Sequence, residues 1–334
     1  MTLQETDKLN RLHKTFELNF KLTRLYALYL EHLPEVINAE MINALTADGS
    51  MDERDAVIAI LCELFGLDFD GSTDDKRLIR EYVMPSVRIL DAERYKNNPY
   101  YNKIRIPDVK KGKWELKHEK YPAYRGVVCD DVELCDGMRE VVPIGFFKED
   151  FIFPAVLEDG NEWMTLTPVD LDTCEDAINR AHGRVVTFGL GLGYYTFMVS
   201  EKESVESVTV VEKSHDVVEL FTNYILPQFS HPEKIIIVED DAFRYAEHVM
   251  PNEHFDLAFV DTWRDASDGA PMYRKMKKLE QLSPDTEFLY WIENFLVSRL
   301  RAERYRDLCE AIDTGSGSAP SSYVEFVESI MNVP

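Results

Sequence analysis

Residues 184–200 read RVVTFGLGLGYYTFMVS, and this stretch decides the fold class of the chain. An apolar run is followed by glycines at every second position, Gly189, Gly191 and Gly193, and bulky side chains return at Tyr194. An apolar run that ends in glycines before a helix is typical of a strand in a parallel sheet, where ligands bind at the carboxyl ends of the strands. The stretch therefore predicts a ligand site at its glycines.

Four more apolar runs follow at helix-length intervals along the chain. They read SVTVVE (207–212), KIIIVED (234–240), FDLAFVD (255–261) and TEFLYWIE (286–293). Short apolar strands that alternate with helices are typical of α/β proteins in which helices pack on a parallel sheet. The sequence therefore predicts an α/β fold with a doubly wound, mostly parallel sheet.

The spacing of the glycines argues against a phosphate ligand. A dinucleotide-binding loop needs GxGxxG, and Tyr194 stands here in place of the third glycine, where its ring would obstruct the approach of helix to strand. A P-loop needs Gly-Lys-Ser/Thr after its glycines, and this sequence continues with Tyr-Tyr-Thr. Binding of NAD is therefore disfavoured.

The GxGxG pattern resembles motif I of the class I S-adenosylmethionine-dependent methyltransferases. The resemblance implies that Gly189, Gly191 and Gly193, with Tyr194 beside them, leave room for the adenosyl group and the amino-acid tail of S-adenosylmethionine. Thr187 stands where the family usually carries an acid near the amino group of the cofactor, and its hydroxyl can accept that hydrogen bond without charge. The structural alternative for the glycines is a tight turn.

Acidic residues end the next predicted strands, as they do in this family. The resemblance implies that Glu212, 23 residues after Gly189, accepts hydrogen bonds from the ribose hydroxyls. It further implies that Asp240 and Asp241 lie at the adenine amino group and that Ala242 leaves space for the adenine ring. The alternatives are a solvated strand end for Glu212 and helix capping for the two aspartates.

Asp261 ends the fourth predicted strand and is the predicted catalytic residue. The resemblance implies that it contacts the cofactor near the sulfonium methyl and orients or deprotonates the acceptor. Methyl transfer is an in-line displacement that depends mainly on alignment and needs no metal. Trp263, with Tyr194 or Tyr195, is predicted to wall the cleft or to stack on the adenine. Core packing of these aromatics and helix capping by Asp261 remain open.

Two other functions stay open at this stage. Spermidine synthases also resemble the chain, since they have a small β region before the nucleotide domain, an Asp-Asp pair and an Asp at the fourth strand tip. They transfer an aminopropyl group from decarboxylated S-adenosylmethionine, and their fourth-strand motif continues Asp-Ser-x-Asp-Pro where this chain reads DTWRDAS (261–267). The third possibility is a non-catalytic scaffold that binds the cofactor or a protein partner.

The pattern of the chain predicts three segments. Residues 1–96 carry apolar positions at helical spacing and form a helical accessory region. Residues 97–166 form a linker or flap followed by a small antiparallel β region with an Asp-Gly hairpin turn. Residues 167–334 form the S-adenosylmethionine-binding domain, in which 315–322 are a flexible link and 323–331 are either an edge strand or a short helix.

Composition limits the partners of the chain. The 334 residues carry a net charge of −24, which disfavours nucleic acid, and contain no apolar run long enough for a membrane span. The five cysteines are scattered without a CxxC pair, so neither a disulfide framework nor a metal site is predicted. We expect a cytoplasmic protein with a small-molecule acceptor, or a protein acceptor in second place.

Overall fold

The structure, a computed structural model, describes residues 3–315 and 319–333. These residues form two compact units, each built from separate stretches of the chain. Unit 1 takes the described parts of 1–90, 122–150 and 294–334, and unit 2 takes Asp91–Tyr121 and Phe151–Glu293. The two units cut across the predicted segments 1–96, 97–166 and 167–334. Residues 316–318 of the predicted flexible link lie outside the described part.

The secondary structure alternates between helices and short strands. The helices are α1 (Leu3–His32), α2 (Ala39–Thr46), α3 (Glu53–Leu64), α4 (Thr73–Leu78), α5 (Met84–Ser86), α6 (Ala92–Lys96), α7 (Pro99–Lys103), α8 (Pro168–Arg180), α9 (Tyr194–Ser200), α10 (His215–Leu220), α11 (Ala242–His248), α12 (Ala266–Leu279), α13 (Glu293–Asp313) and α14 (Tyr323–Met331). The strands are β1 (Val87–Leu90), β2 (Val109–Lys111), β3 (Trp114–Tyr121), β4 (Gly126–Val128), β5 (Glu133–Cys135), β6 (Arg139–Val141), β7 (Ile144–Phe147), β8 (Phe151–Glu158), β9 (Asn161–Thr165), β10 (Gly183–Phe188), β11 (Val205–Glu212), β12 (Ile235–Glu239), β13 (Leu257–Val260) and β14 (Glu287–Tyr290). Among these helices, none is long and apolar enough to cross a membrane.

The main sheet of unit 2 is parallel throughout. Its five strands lie in the order β12-β11-β10-β13-β14. The β-branched and aromatic residues of β10 and β13, such as Val186 and Phe259, are buried on both faces, which is typical of a central parallel strand. The chain moves from the edge strand β12 back to the centre at β13, so the switch in strand order lies between β10 and β13.

The predicted α/β class and its parallel sheet are confirmed, but the chain as a whole is not one doubly wound sheet. The other nine strands of the described residues form three further sheets, ordered β1-β7-β4, β2-β3-β8-β9 and β5-β6. Pairing in the β2-β3-β8-β9 sheet is antiparallel. The predicted Asp159-Gly160 turn joins β8 to β9, and both of its residues have positive φ, as a tight hairpin turn requires.

The interpretation of the segment after residue 97 as a linker or flap is wrong for residues 109–121, which form β2 and β3. In β3 only Trp114 and Leu116 are buried, and the following positions are charged or polar. Such a strand lacks the alternation of apolar residues by which sequence patterns are recognised. Its pairing with β8, over all eight residues, supplies the order instead.

Unit 1 combines the N-terminal helices with the small sheets. Predicted helices are present from α1 to α5, and residues such as Val57, Leu61 and Tyr82 are fully buried in a core that also contains Phe146 of β7. The carboxylate of Asp131 accepts hydrogen bonds from the Asn294 and Phe295 N–H groups at 2.9 Å. The first turn of α13 is thereby fixed within unit 1.

The C-terminal helices α13 and α14 also belong to unit 1 rather than to the unit that contains the parallel sheet, apart from Glu293 at the start of α13. Phe326 of α14 and Leu308 of α13 pack against Leu12 and Phe16 of α1. Residues 323–331 were predicted to form either an edge strand or a short helix, and they form the short helix α14. Contacts between residues about 300 positions apart leave no local pattern, so the sequence alone did not reveal this core.

The shared core predicts that α14 stabilises α1. Replacing the fully buried Phe326 by Ala should cost about 3–5 kcal/mol, because the ring is lost and a cavity remains. Hydrogen exchange of the α1 amides should accelerate accordingly, by roughly 100-fold or more. Val324→Ala on the same helix is the matched control, since that side chain is 59% exposed and its loss should change stability by less than about 0.5 kcal/mol. Unchanged exchange in α1 for Phe326→Ala would contradict the shared core.

Candidate functional site

The carboxyl ends of four parallel strands border one cavity in unit 2. Its volume is about 650 Å³, within the range of small-molecule sites. One predicted residue comes from the end of each strand: Gly189 after β10, Glu212 in β11, Asp241 after β12 and Asp261 after β13. The predicted residues that line the cavity are Gly189, Gly191, Glu212, Asp240, Asp241, Ala242 and Asp261.

Three of the predicted cofactor-binding residues lie outside the lining of this cavity. Thr187 and Tyr194 border a much smaller cavity of about 20 Å³, and Gly193 is not among the described lining residues of either. Tyr194 is only 3% exposed, and its hydroxyl accepts a hydrogen bond from Asn98 Nδ2 at 3.1 Å. Its ring also meets that of Tyr100 edge to face. A cofactor contact for these residues stays a prediction.

Protein contacts account for the spacing of the three glycines. All three have positive φ, at 98°, 51° and 71°, which disfavours any other residue. A Cβ at Gly189 would collide with the carbonyl oxygen of Asp261, one at Gly191 with Met164 Sδ, and one at Gly193 with the ring of Phe221. The loop is therefore shaped first by the neighbouring chain, and only Gly189 and Gly191 also face the cavity.

Glu212 joins two loops at the cavity floor. One carboxylate oxygen accepts a hydrogen bond from the Ser214 N–H at 2.7 Å, and the other accepts one from the Leu190 N–H at 3.3 Å. Burial raises the pKa of Glu212, whereas these hydrogen bonds lower it. Glu212 is thus a partly enclosed acceptor, and its interpretation as a solvated strand end is wrong.

The two aspartates after β12 have separate structural roles. Asp241 caps α11, because its Oδ1 accepts hydrogen bonds from the Phe243 and Arg244 N–H groups at 3.0 Å. Its Oδ2 accepts none from another described residue. Asp240 Oδ1 instead binds Arg244 Nε at 2.6 Å. The capping interpretation is confirmed for Asp241, and one of its oxygens remains available to a ligand.

Asp261 carries the strongest electrostatic perturbation at the site. Its N–H donates to the carbonyl of Phe188 at 2.9 Å, which fixes the backbone beside β10. Its side chain accepts no hydrogen bond from another residue in the described part of the chain. Burial, together with the nearby carboxylates of Asp170 and Glu212, raises the pKa of Asp261 to about 8. The capping interpretation for Asp261 is wrong, since Asp265 caps α12.

Asp170 is a site residue that no motif in the sequence predicted. Its Oδ2 accepts hydrogen bonds from Thr167 N at 2.8 Å, Thr167 Oγ1 at 2.7 Å and Thr165 Oγ1 at 3.4 Å. The side chain is only 6% exposed yet lines both cavities, and burial raises its pKa to about 6. The available signal was an acid in the capping box of the helix that leads into β10.

The antiparallel sheet of unit 2 supplies a wall that no motif predicted. Trp114 and Trp163 meet edge to face with ring centres 5.7 Å apart, and the Arg264 guanidinium lies 5.1 Å from the ring centre of Trp163. Glu158 pairs with Lys113 and lies 3.9 Å from Arg264. All five residues line the cavity, so its wall combines indole rings with paired charges.

The other predicted aromatics differ in position. Trp263 lines the cavity as predicted and is 4% exposed. Tyr195 instead stacks on Phe259 with ring centres 4.2 Å apart, borders only the small cavity and is a packing residue.

Comparison with known proteins gives little beyond this geometry. No family and no curated protein matches the sequence. Among solved structures, a spermidine synthase from Thermotoga maritima is similar to 46% of this chain at 16% identity with a TM-score of 0.32, and a spermidine synthase in complex with the transition state analogue AdoDATO is similar over the same share at 16% identity with a TM-score of 0.31. The chain spans only 55% of each of those structures. A likeness at this level does not identify the function of the chain.

The close approach at Gly189 predicts a large cost for any side chain there. Gly189→Ala adds both backbone strain and a collision with the Asp261 carbonyl, so unit 2 should lose about 3–5 kcal/mol. Gly160→Ala is the matched control, because Gly160 also has positive φ but nothing lies within 4 Å of the added Cβ, and strain alone costs about 1–2 kcal/mol. Urea unfolding followed by tryptophan fluorescence measures both. Equal losses would show that the backbone contact is unimportant.

The raised pKa of Asp261 predicts a pH dependence of stability. Between about pH 4 and pH 8 the folded protein retains a proton on Asp261 that the unfolded chain releases, so the free energy of unfolding falls as pH rises. Asp261→Asn removes this titration. The stability of the natural protein relative to Asp261→Asn should fall by more than about 1 kcal/mol between pH 5 and pH 9. A difference that stays constant or grows with pH would contradict the assignment.

Proposed function

We propose that the cavity of unit 2 binds S-adenosylmethionine and that the chain transfers its methyl group to a second, small molecule. One observation carries the proposal: acceptor groups from the ends of successive parallel strands, at Glu212, Asp241 and Asp261, converge on one cavity that the Gly189–Gly191 loop also borders. That arrangement offers separate positions for a ribose, an adenine and a charged sulfur. Its volume of about 650 Å³ suits a nucleoside and a small acceptor.

The residues present suit the nucleoside part of this ligand. Glu212 has lone pairs left on both oxygens for the ribose hydroxyls, although each already accepts one backbone hydrogen bond. Asp241 Oδ2 is available to the adenine amino group, and Ala242 beside it is small enough to admit the ring. When bound, the cofactor supplies an electrophilic methyl group on a positively charged sulfur.

Asp261 provides the chemical argument for a cationic ligand. The half-buried carboxylate of Asp261 accepts no hydrogen bond from another described residue and lies near Asp170 and Glu212, so it is costly to ionise. A positive charge placed nearby lowers the pKa of Asp261 and makes its ionised form favourable. Asp261 would then stabilise the cation and accept a proton from an acceptor that must lose one.

Aminopropyl transfer from decarboxylated S-adenosylmethionine is the second candidate. The observation that favours it is the excess of acids in the cavity lining, which has eight carboxylates against three basic side chains. These are Glu158, Glu162, Asp170, Glu212, Asp240, Asp241, Asp261 and Asp265 against Lys113, Lys213 and Arg264. This field repels the carboxylate of a methionine tail, which the decarboxylated form lacks.

Calorimetric titration of the purified protein with four ligands tests these functions. S-adenosylmethionine should bind with a micromolar dissociation constant, and its neutral product S-adenosylhomocysteine should bind more weakly, because it has no sulfonium charge to meet Asp261. Tighter binding of the decarboxylated form would favour aminopropyl transfer. Binding of NAD alone would refute the proposal, and tight cofactor binding without turnover on a broad panel of acceptors would favour a scaffold.

A pair of variants tests the predicted ribose contact. Glu212→Gln should weaken binding of S-adenosylmethionine at least tenfold, because the amide offers the ribose hydroxyls one acceptor oxygen instead of two. Glu239→Gln is the matched control: Glu239 is the register partner of Glu212 on β12 but lies outside the described cavity lining. Equal affinity of the two variants would mean that Glu212 does not contact the ligand.

A further inference from the structure

All four tryptophans of the chain line the same cavity. They are Trp114, Trp163, Trp263 and Trp291: two lie in the antiparallel sheet, one in the loop after β13 and one directly after β14. Trp291 is held in place by its N–H, which donates to the Val260 carbonyl at 3.0 Å. Indole rings are the aromatic surface that attracts cations most strongly, and alkylated ammonium groups, being weakly hydrated, gain most from it.

The carboxylates of the cavity differ in how far the chain already compensates them. Asp240 is paired with Arg244, and Glu158 is paired with Lys113 and Arg264. In contrast, Asp170 Oδ1 accepts no hydrogen bond from another described residue, because the helix-capping bonds all go to Oδ2. The carboxylates of Asp240 and Glu158 are therefore paired with basic side chains, whereas no ion pair among the described residues involves Asp170 or Asp261.

The wall already displays one cation bound by an aromatic ring and a carboxylate. The Arg264 guanidinium lies over the ring of Trp163 and 3.9 Å from Glu158. Trp291 has no such partner among the described ring and cation contacts, and its side chain is partly exposed. The same two kinds of group, an indole and a carboxylate, thus remain available around Trp291, Asp170 and Asp261.

We propose that the second molecule taken by this cavity is a small organic cation of the alkylated ammonium class, received by the indole surface and by the carboxylates of Asp170 and Asp261. A single bulky cation matches this arrangement better than a long diamine, because the unbalanced carboxylates lie together rather than at two ends. Its role as methyl acceptor rests on the proposed function, whereas its binding does not.

The transfer step with such an acceptor balances. A tertiary amine nitrogen uses its lone pair to form the new bond to the methyl carbon, while the sulfur–carbon bond breaks and leaves its electron pair on sulfur. The nitrogen becomes a quaternary ammonium. An acceptor that arrives protonated loses its proton first, and Asp261 is the carboxylate that takes it. Asp170 and the indoles then hold the charged product.

Tryptophan fluorescence offers a direct test, since every indole of the chain reports on this cavity. Choline serves as the probe cation, and 3,3-dimethylbutan-1-ol, in which carbon replaces the charged nitrogen, is its neutral counterpart. Without any cofactor present, choline should change the fluorescence saturably and bind at least tenfold more tightly than the neutral alcohol, with calorimetry as a second measurement. Equal affinity, or no saturable binding of choline, would overturn the proposal, and so would tighter binding of 1,4-diaminobutane or of Mg²⁺.

Variants separate the proposed contacts from general effects. Asp170→Asn should weaken choline binding at least fivefold and leave binding of the neutral alcohol unchanged. Asp176→Asn, on the same helix and paired with Arg180 at the surface, should leave both unchanged. If Asp170→Asn fails to fold, Trp291→Leu gives the same comparison by removing the proposed indole contact. Normal choline affinity in folded Asp170→Asn and Trp291→Leu would overturn the assignment.

The two proposals can fail separately. Binding of choline without binding of S-adenosylmethionine would leave the cation site standing and refute the methyl-transfer function. Binding of S-adenosylmethionine without binding of choline would refute the cation site and leave the methyl-transfer function standing.

Discussion

At the end of β10 the backbone runs so close to the first residue after β13 that only glycine fits between them. The missing side chain of Gly189 lets the Asp261 carbonyl lie against the loop, and the Asp261 N–H reaches the Phe188 carbonyl from the same position. Two neighbouring strands at the switch in strand order are thereby locked at their carboxyl ends. The position of Asp261 beside the cavity follows from this contact, and so does the turn that carries Gly191 and Leu190 past Glu212.

A second constraint is the cost of the charges that this arrangement brings together. Asp170, Glu212 and Asp261 reach one cavity from three different elements, and burial raises the pKa of each. The chain offsets this cost unequally. Backbone N–H groups stabilise Glu212 and threonine groups stabilise Asp170, whereas Asp261 has no donor among the described residues. Such an imbalance is the signature expected of a binding or catalytic group rather than of a stabilising one.

The local sequence pattern predicted the strand ends well, because each buried strand of a parallel sheet is itself a short apolar run. Glu212, Asp241 and Asp261 are found at one cavity since each stands within three residues of the end of a short apolar run. The glycines were predicted for a ligand but are required first by Met164, Phe221 and the Asp261 carbonyl, which are contacts between distant residues. For the same reason the sequence did not reveal Asp170 as a site residue, the tryptophans of the antiparallel sheet, or the core shared by α1 and α14.

The charge distribution of the cavity constrains both candidate reactions. Carboxylates that attract a sulfonium or an ammonium also repel the carboxylate of a methionine tail. Thr187, where an acid would hold the amino group, borders the small cavity, which shares Asp170 and Asp261 with the large one. Lys113 and Arg264 are engaged with Glu158, so neither is unpaired at the wall. The carboxylates of the cavity therefore repel least a ligand that is positive at its reacting centre and carries no carboxylate. If the tail carboxylate is present, the basic side chains of the lining that can meet it are Lys113, Lys213 and Arg264, and of these Lys213 has no ion pair among the described residues.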